Sequence, residues 1–186
     1  MSAMSAMSAM KPRVTSRVVI QTQDFDLATE IAALRAGDTR VGAVCSFVGT
    51  VRDRNDGLDV STLELEHYPG MTEKSIETMI DDAFARFDIY AARVIHRVGV
   101  MQPLDQIVMV AVTSAHREMS FQACEFLMDY LKTQAPFWKK ELTPSGARWV
   151  DARVSDDAAL AKWGIAAANV AGGTNPTSVK NSAGSS

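Results

Sequence analysis

Cysteine is scarce in this chain, with only Cys45 and Cys124 among 186 residues. Two thiols so far apart in sequence make neither a disulfide framework nor a CxxC-type metal site, and each reads as a small buried hydrophobe. Neither has a basic neighbour in sequence to lower its thiol pKa, which disfavours a persulfide carrier or a cysteine nucleophile. The three histidines, His67, His96 and His116, show no HxH or HExxH spacing, so no catalytic metal and no bound cofactor are expected. Neither GxxxxGK[ST] nor GxGxxG occurs, which removes the ordinary nucleotide-binding folds. No apolar run approaches the roughly 18 residues that cross a bilayer, and the N-terminus lacks the pattern of a signal peptide. A cytoplasmic protein is expected. Positive charge is not in excess either: the net charge of −3 disfavours nucleic acid or an anionic membrane as partner.

What is present is an apolar content of 47% against 22% charged residues, the balance of a folded globular chain with one core. The repeat MSAMSAMSAM has little to bury, so residues 1–13 are expected as a disordered leader. The Gly-, Ser- and Asn-rich stretch 165–186 is expected as a flexible tail, leaving 14–164 as the folded domain. Within it, 17–23 reads as a strand and 26–36 as a helix closed by Gly37, with Leu27, Ile31 and Leu34 on one face. VGAVCSFVGTV (41–51) reads as a buried strand, DRNDG as a polar turn, and 60–68 as a strand alternating Leu63, Leu65 and His67 with Glu64, Glu66 and Tyr68. Thr72 is placed to cap a helix in which Ile76, Met79, Ile80, Ala83, Phe84 and Phe87 keep helical spacing. Strands over 92–98 and 107–113 follow, joined by a turn at 103–106, then a helix over 117–133 that Pro136 stops. Segments 137–142 and 148–153 flank TPSG as a last hairpin, before a short helix that Ser155 caps. This order, with several hairpins and no strict βαβ repeat, predicts an α+β fold.

Chemistry concentrates in two places. In DYLKTQAPFWKKEL, Lys132 near a helix end and Lys139 in the next strand bracket the break at Pro136, so both amines can face one pocket. Lysine there serves as a point charge for phosphate or carboxylate, or as a proton shuttle or nucleophile. Lys140, next along the strand, points to the opposite face. In VTSAHRE, Ser114 is placed to cap while His116 and Arg117 stand at a helix N-terminus, an arrangement that favours an anion. Arg52, leaving the buried strand, can fork onto a phosphate. His67 and His96 lie beside apolar alternation and read as structural.

Four segments, LELEHYPGMTEKSIETMI, VIHRVG, VTSAHRE and MDYLKTQAPFWKKE, resemble in order and spacing the large, catalytic subunit family of molybdopterin synthase, over about Val41 to Trp163. The resemblance implies an α/β hammerhead-type fold with a mixed or antiparallel sheet and flanking helices. It implies a homodimer within a heterotetramer, with a small ubiquitin-like sulfur-carrier subunit at each end whose C-terminal Gly-Gly thiocarboxylate enters the active site. The implied reaction is a sulfur transfer that converts cyclic pyranopterin monophosphate to molybdopterin by installing two sulfurs. Carried over by position, substrate contacts fall on Thr50, Val51 and Arg52, on His116 and Arg117, on Lys132, and on Lys139, Lys140 and Glu141. Lys132 and Lys139 are the implied catalytic pair, and Thr50 is expected to act through its backbone because some relatives carry lysine there. Whether His116 and Arg117 serve their own chain's pocket or a neighbour's is open. Three other classes are weighed beside this one: a non-catalytic module that binds a ubiquitin-like tail, a cysteine-dependent sulfurtransferase, and an RNA-binding domain, which the acidic balance disfavours.

Overall fold

The structure, a computed structural model, describes residues 16–55, 57–144, 146–150 and 161–164. The first half of the chain runs β1 (Val18–Gln21), α1 (Leu27–Leu34), β2 (Ala43–Thr50), β3 (Arg54–Asn55), β4 (Leu58–Asp59), β5 (Thr62–His67) and α2 (Met71–Arg86). The second half runs β6 (Ile89–Arg97), β7 (Gly99–Met101), β8 (Gln106–Ser114), α3 (Arg117–Gln134), β9 (Phe137–Thr143) and β10 (Gly146–Val150). The expected α+β class is what is observed.

One sheet has the order β1-β6-β8-β2, with β1 parallel to β6 and the other pairs antiparallel. Its two central strands read as nearly continuous apolar runs because both faces are covered. On one face Val94, Val108, Val110 and Val112 pack against Ile76, Met79 and Ile80 of α2 and Ala123, Phe126 and Leu127 of α3. On the other, Ile95, Met109 and Ala111 meet Phe25, with Leu27 and Leu34 of α1 against them. Each large side chain buried this way contributes about 1.5–3 kcal/mol. Asp26 caps α1 by accepting from the Thr29 N–H at 2.7 Å, and Arg93 ties the helix to β6 through Glu30.

The second sheet is antiparallel throughout, in the order β10-β9-β5-β7. Leu63 and Leu65 face inward with Val51 and Met101, and Ile107 packs against both this cluster and the main core. Among the described residues no helix is long and apolar enough to cross a membrane.

Several expectations need correction. Thr72 does not cap α2; Gly70 does, with φ of +82° and its N–H donated to Glu73 at 2.6 Å. Ser114 does not cap α3 either, because its hydroxyl donates to the His116 carbonyl. The polar turn after Arg52 holds the small hairpin of β3 and β4, and β7 extends the second sheet where only a connection was expected. The leader, the tail and the helix at Ser155 lie outside the described residues.

Candidate active site

A cleft of about 790 Å³ opens where the first sheet ends near Thr50, lined from both sheets and from the C-terminal turns of α3. Its floor is apolar and aromatic: Phe47, Val108, Leu65 and Phe137, with Met128 and Leu131 from α3. Gly49 makes that floor possible, since a Cβ there would lie 2.9 Å from a Val108 methyl and 3.3 Å from the Phe47 ring.

The corner at Pro136 turns α3 into β9 and so brings Lys132 and Lys139, seven residues apart, to the same cleft. The first turn of α2 holds that corner: the Thr72 hydroxyl donates to the Pro136 carbonyl at 3.1 Å, and Ser75 donates to Gln134 at 3.4 Å. Lys139 Nζ lies 2.7 Å from Glu141 Oε1, and Asn55 Nδ2 donates to the same oxygen at 2.8 Å. Arg52 reaches Asn55 Oδ1 at 3.4 Å, which continues the polar chain across to the strand exit. Glu141 is only 2% exposed, and a carboxylate so buried is tolerable because donors meet it. Lys132, by contrast, is exposed and has no ion-pair or hydrogen-bond partner among the described residues.

Thr50 and Val51 stand at the cleft's lip, but both backbone polar groups of Val51 bond to the turn at Leu104 and Asp105, at 2.9 Å each. Lys140 faces away from the cleft, 3.2 Å from Glu64 and over the Trp149 ring, as strand alternation requires. His116 and Arg117 are not brought to the cleft of their own chain. They sit exposed at the N-cap and first residue of α3, roughly 23 Å along its axis from Lys132. No side chain caps that helix end.

The cysteines, distant in sequence, are neighbours in space. Cys124 is buried in the main core, and burial first, then the adjacent Cys45, pushes its thiol well above the usual range. Neither lines the cleft.

Residues 20–134 match the sequence model of the family described as MoaE protein. The chain belongs to the MoaE family. The molybdopterin synthase catalytic subunit of Ralstonia nicotianae is 63% identical over 155 residues, which cover 83% of this chain and 88% of that relative. Among solved structures, the molybdopterin biosynthesis MoaE protein of Burkholderia ambifaria is 57% identical with a TM-score of 0.71, over 81% of this chain and 99% of the other. The molybdopterin synthase structure from Staphylococcus aureus is 27% identical with a TM-score of 0.67, over 74% of this chain and 99% of that one.

In this MoaE-family chain the cleft also contains groups that sequence reasoning passed over. Asn55 meets Glu141 across 86 residues of sequence, and no local signal announces that pair. His96, read as structural, is buried yet lines the cleft, stacked on Phe137. Phe47 is 39% exposed on β2, which was expected as a buried strand but stands at the sheet edge with no buried residue, and its ring lines the cleft.

Proposed function

We propose that the chain works as the catalytic subunit of a molybdopterin synthase. In this reading it converts cyclic pyranopterin monophosphate to molybdopterin in the cytoplasm, with two sulfurs delivered as the C-terminal thiocarboxylate of a small ubiquitin-like carrier. The observation that carries this reading is the convergence of Arg52, Lys132 and Lys139, from three separate segments, on one cleft with an apolar floor. The relatives above bear the same name.

The geometry divides the work. Arg52 offers a planar fork suited to phosphate, and the apolar, aromatic lining takes the pterin ring. Lys132 has no competing carboxylate among the described residues, so its full charge is free to stabilise the carbonyl oxygen of the carrier's acyl group as sulfur departs. Lys139 is oriented by Glu141 and Asn55 and presents a fixed cation opposite it. A homodimer supplies what one chain lacks: in this reading His116 and Arg117 serve the partner subunit's cleft, and the bare N-terminus of α3 adds N–H groups that favour an anion.

The test is single-turnover formation of the dithiolene product from cyclic pyranopterin monophosphate and thiocarboxylated carrier. Lys132→Ala should lower the rate by about a hundredfold or more, the usual effect of removing one group that stabilises a developing oxyanion. Carrier affinity should stay unchanged. No product from a folded, carrier-bound wild type overturns the reading in favour of a binding module without turnover.

A further inference from the structure

One polar side chain on the cleft floor has no part in the scheme above. His96 sits on β6 at 8% exposure, its ring stacked on Phe137 with centroids 3.9 Å apart and planes 20° from parallel. Its Nδ1 lies 2.9 Å from the carbonyl oxygen of Arg97. A carbonyl only accepts, so Nδ1 carries the hydrogen and Nε2 presents a bare lone pair in the neutral ring. Burial keeps the ring neutral by holding its pKa down at about 4, with His67 nearby acting in the same sense. Nε2 has no hydrogen-bond partner among the described residues. His96 lines the cleft, and its unpaired Nε2 is not fully enclosed, unlike Thr113 Oγ1 and Gln134 Nε2.

A bare acceptor on an apolar floor selects its ligand. It repels phosphate and thiocarboxylate oxygens, which belong with Arg52, Lys132 and Lys139. It rewards an N–H donor at the edge of a flat group held within the apolar lining of Phe47, Leu65 and Val108. An N–H could come from the heterocycle of the substrate or from a peptide bond of the carrier's tail. The apolar and aromatic lining of Phe47, Val108 and Phe137 favours the heterocycle over a polar peptide bond. We propose that His96 Nε2 accepts a hydrogen bond from a ring N–H of the pterin substrate and fixes the orientation of the heterocycle on the cleft floor. The inference rests on the reading of the cleft as a pterin site. It makes His96 a specificity-determining contact: a ring without an N–H at that edge leaves a desolvated acceptor unpaired.

The experiment measures three quantities on folded protein: affinity for cyclic pyranopterin monophosphate, affinity for the carrier, and single-turnover rate at saturating substrate. His96→Phe keeps the stack on Phe137 and removes the acceptor. It should weaken pterin binding roughly tenfold with carrier affinity unchanged. The rate at saturation should fall much less. His96→Gln, which can place an amide oxygen near the position of Nε2, should recover most of the affinity. A purely packing role predicts the reverse order, with Phe tolerated better than Gln. Independently of any variant, nitrogen spectra of the wild type should show the Nδ1-protonated tautomer, with the Nε2 signal moving on addition of the pterin. Unchanged pterin affinity in His96→Phe, or a still Nε2 signal, overturns the inference and spares the synthase reading. Loss of carrier affinity alone assigns the hydrogen bond to the tail and also overturns it. A wild type that binds no pterin overturns the synthase reading, and this inference with it.

Discussion

At its C-terminal end α3 delivers Lys132 into a walled cleft; at its N-terminal end it holds His116 and Arg117 in open solvent. The surroundings differ in the same way. Around Lys132 the backbone corner is tied to α2 through Thr72 and Ser75, and Lys139 is held by a buried carboxylate. Around His116 no side chain caps the helix, and neither its ring nor the Arg117 guanidinium has a side-chain partner among the described residues. One end is organised within the chain, while the other has a guanidinium, an imidazole and free N–H groups awaiting something negative. The contrast teaches that the reactive surface of this protein need not be complete within one copy.

The sharpest way to break that contrast is to disable the two ends separately. Lys132→Ala and Arg117→Ala homodimers should each be nearly inactive in single turnover. When the two are mixed and allowed to exchange subunits, about a quarter of the sites should regain activity, because each hybrid dimer holds one intact site. Absence of recovery despite proven exchange would place both residues in the same cleft and contradict the distance along α3. A smaller effect comes from acid. Burial holds the His96 imidazole at about 4 in the fold, against the 6.5 of an ordinary histidine. The unfolded chain therefore takes up the proton first, so this stability is complete above about pH 6.5 and is lost as pH falls to 4. Urea unfolding at pH 7 and pH 4 should show about 3 kcal/mol more loss for wild type than for His96→Gln. Parallel losses would remove His96 as the cause. The smallest effect is expected from Cys45→Ser combined with Cys124→Ser. Its single-turnover rate should match wild type within about twofold, with about 1 kcal/mol of stability lost at the buried position. Abolished sulfur transfer would restore a cysteine-dependent mechanism.

Local chemistry in the sequence foretold much of this. Period-two alternation put Leu63 and Leu65 inside, and helical spacing put Ile76, Met79, Ile80 and Ala83 in the core, where they are, whereas Phe84, put on the same face, is exposed. Proline at 136 signalled the corner that joins Lys132 to Lys139. What could not be read was register. Asn55 meets Glu141, and His96 meets Phe137, only because strands far apart in sequence pair and two sheets pack at a particular offset. Thr72 misled for a related reason. It is a good cap by composition, but Gly70 with its left-handed backbone starts the helix two residues earlier, and the threonine hydroxyl is spent on Pro136. β7 was missed because three residues are too few to show a period.

The placement of the two thiols bears on how this cleft could be blocked. No cysteine lines it among the described residues, and Cys124 is enclosed by the core with its proton firmly held. Acrylamides and other thiol-directed warheads would find no nucleophile there. The exposed side chain of Lys132 shares the cleft with Phe47 and Phe137, so a covalent inhibitor would need an aromatic ring to fill that apolar lining and an aldehyde or activated ester to capture the amine.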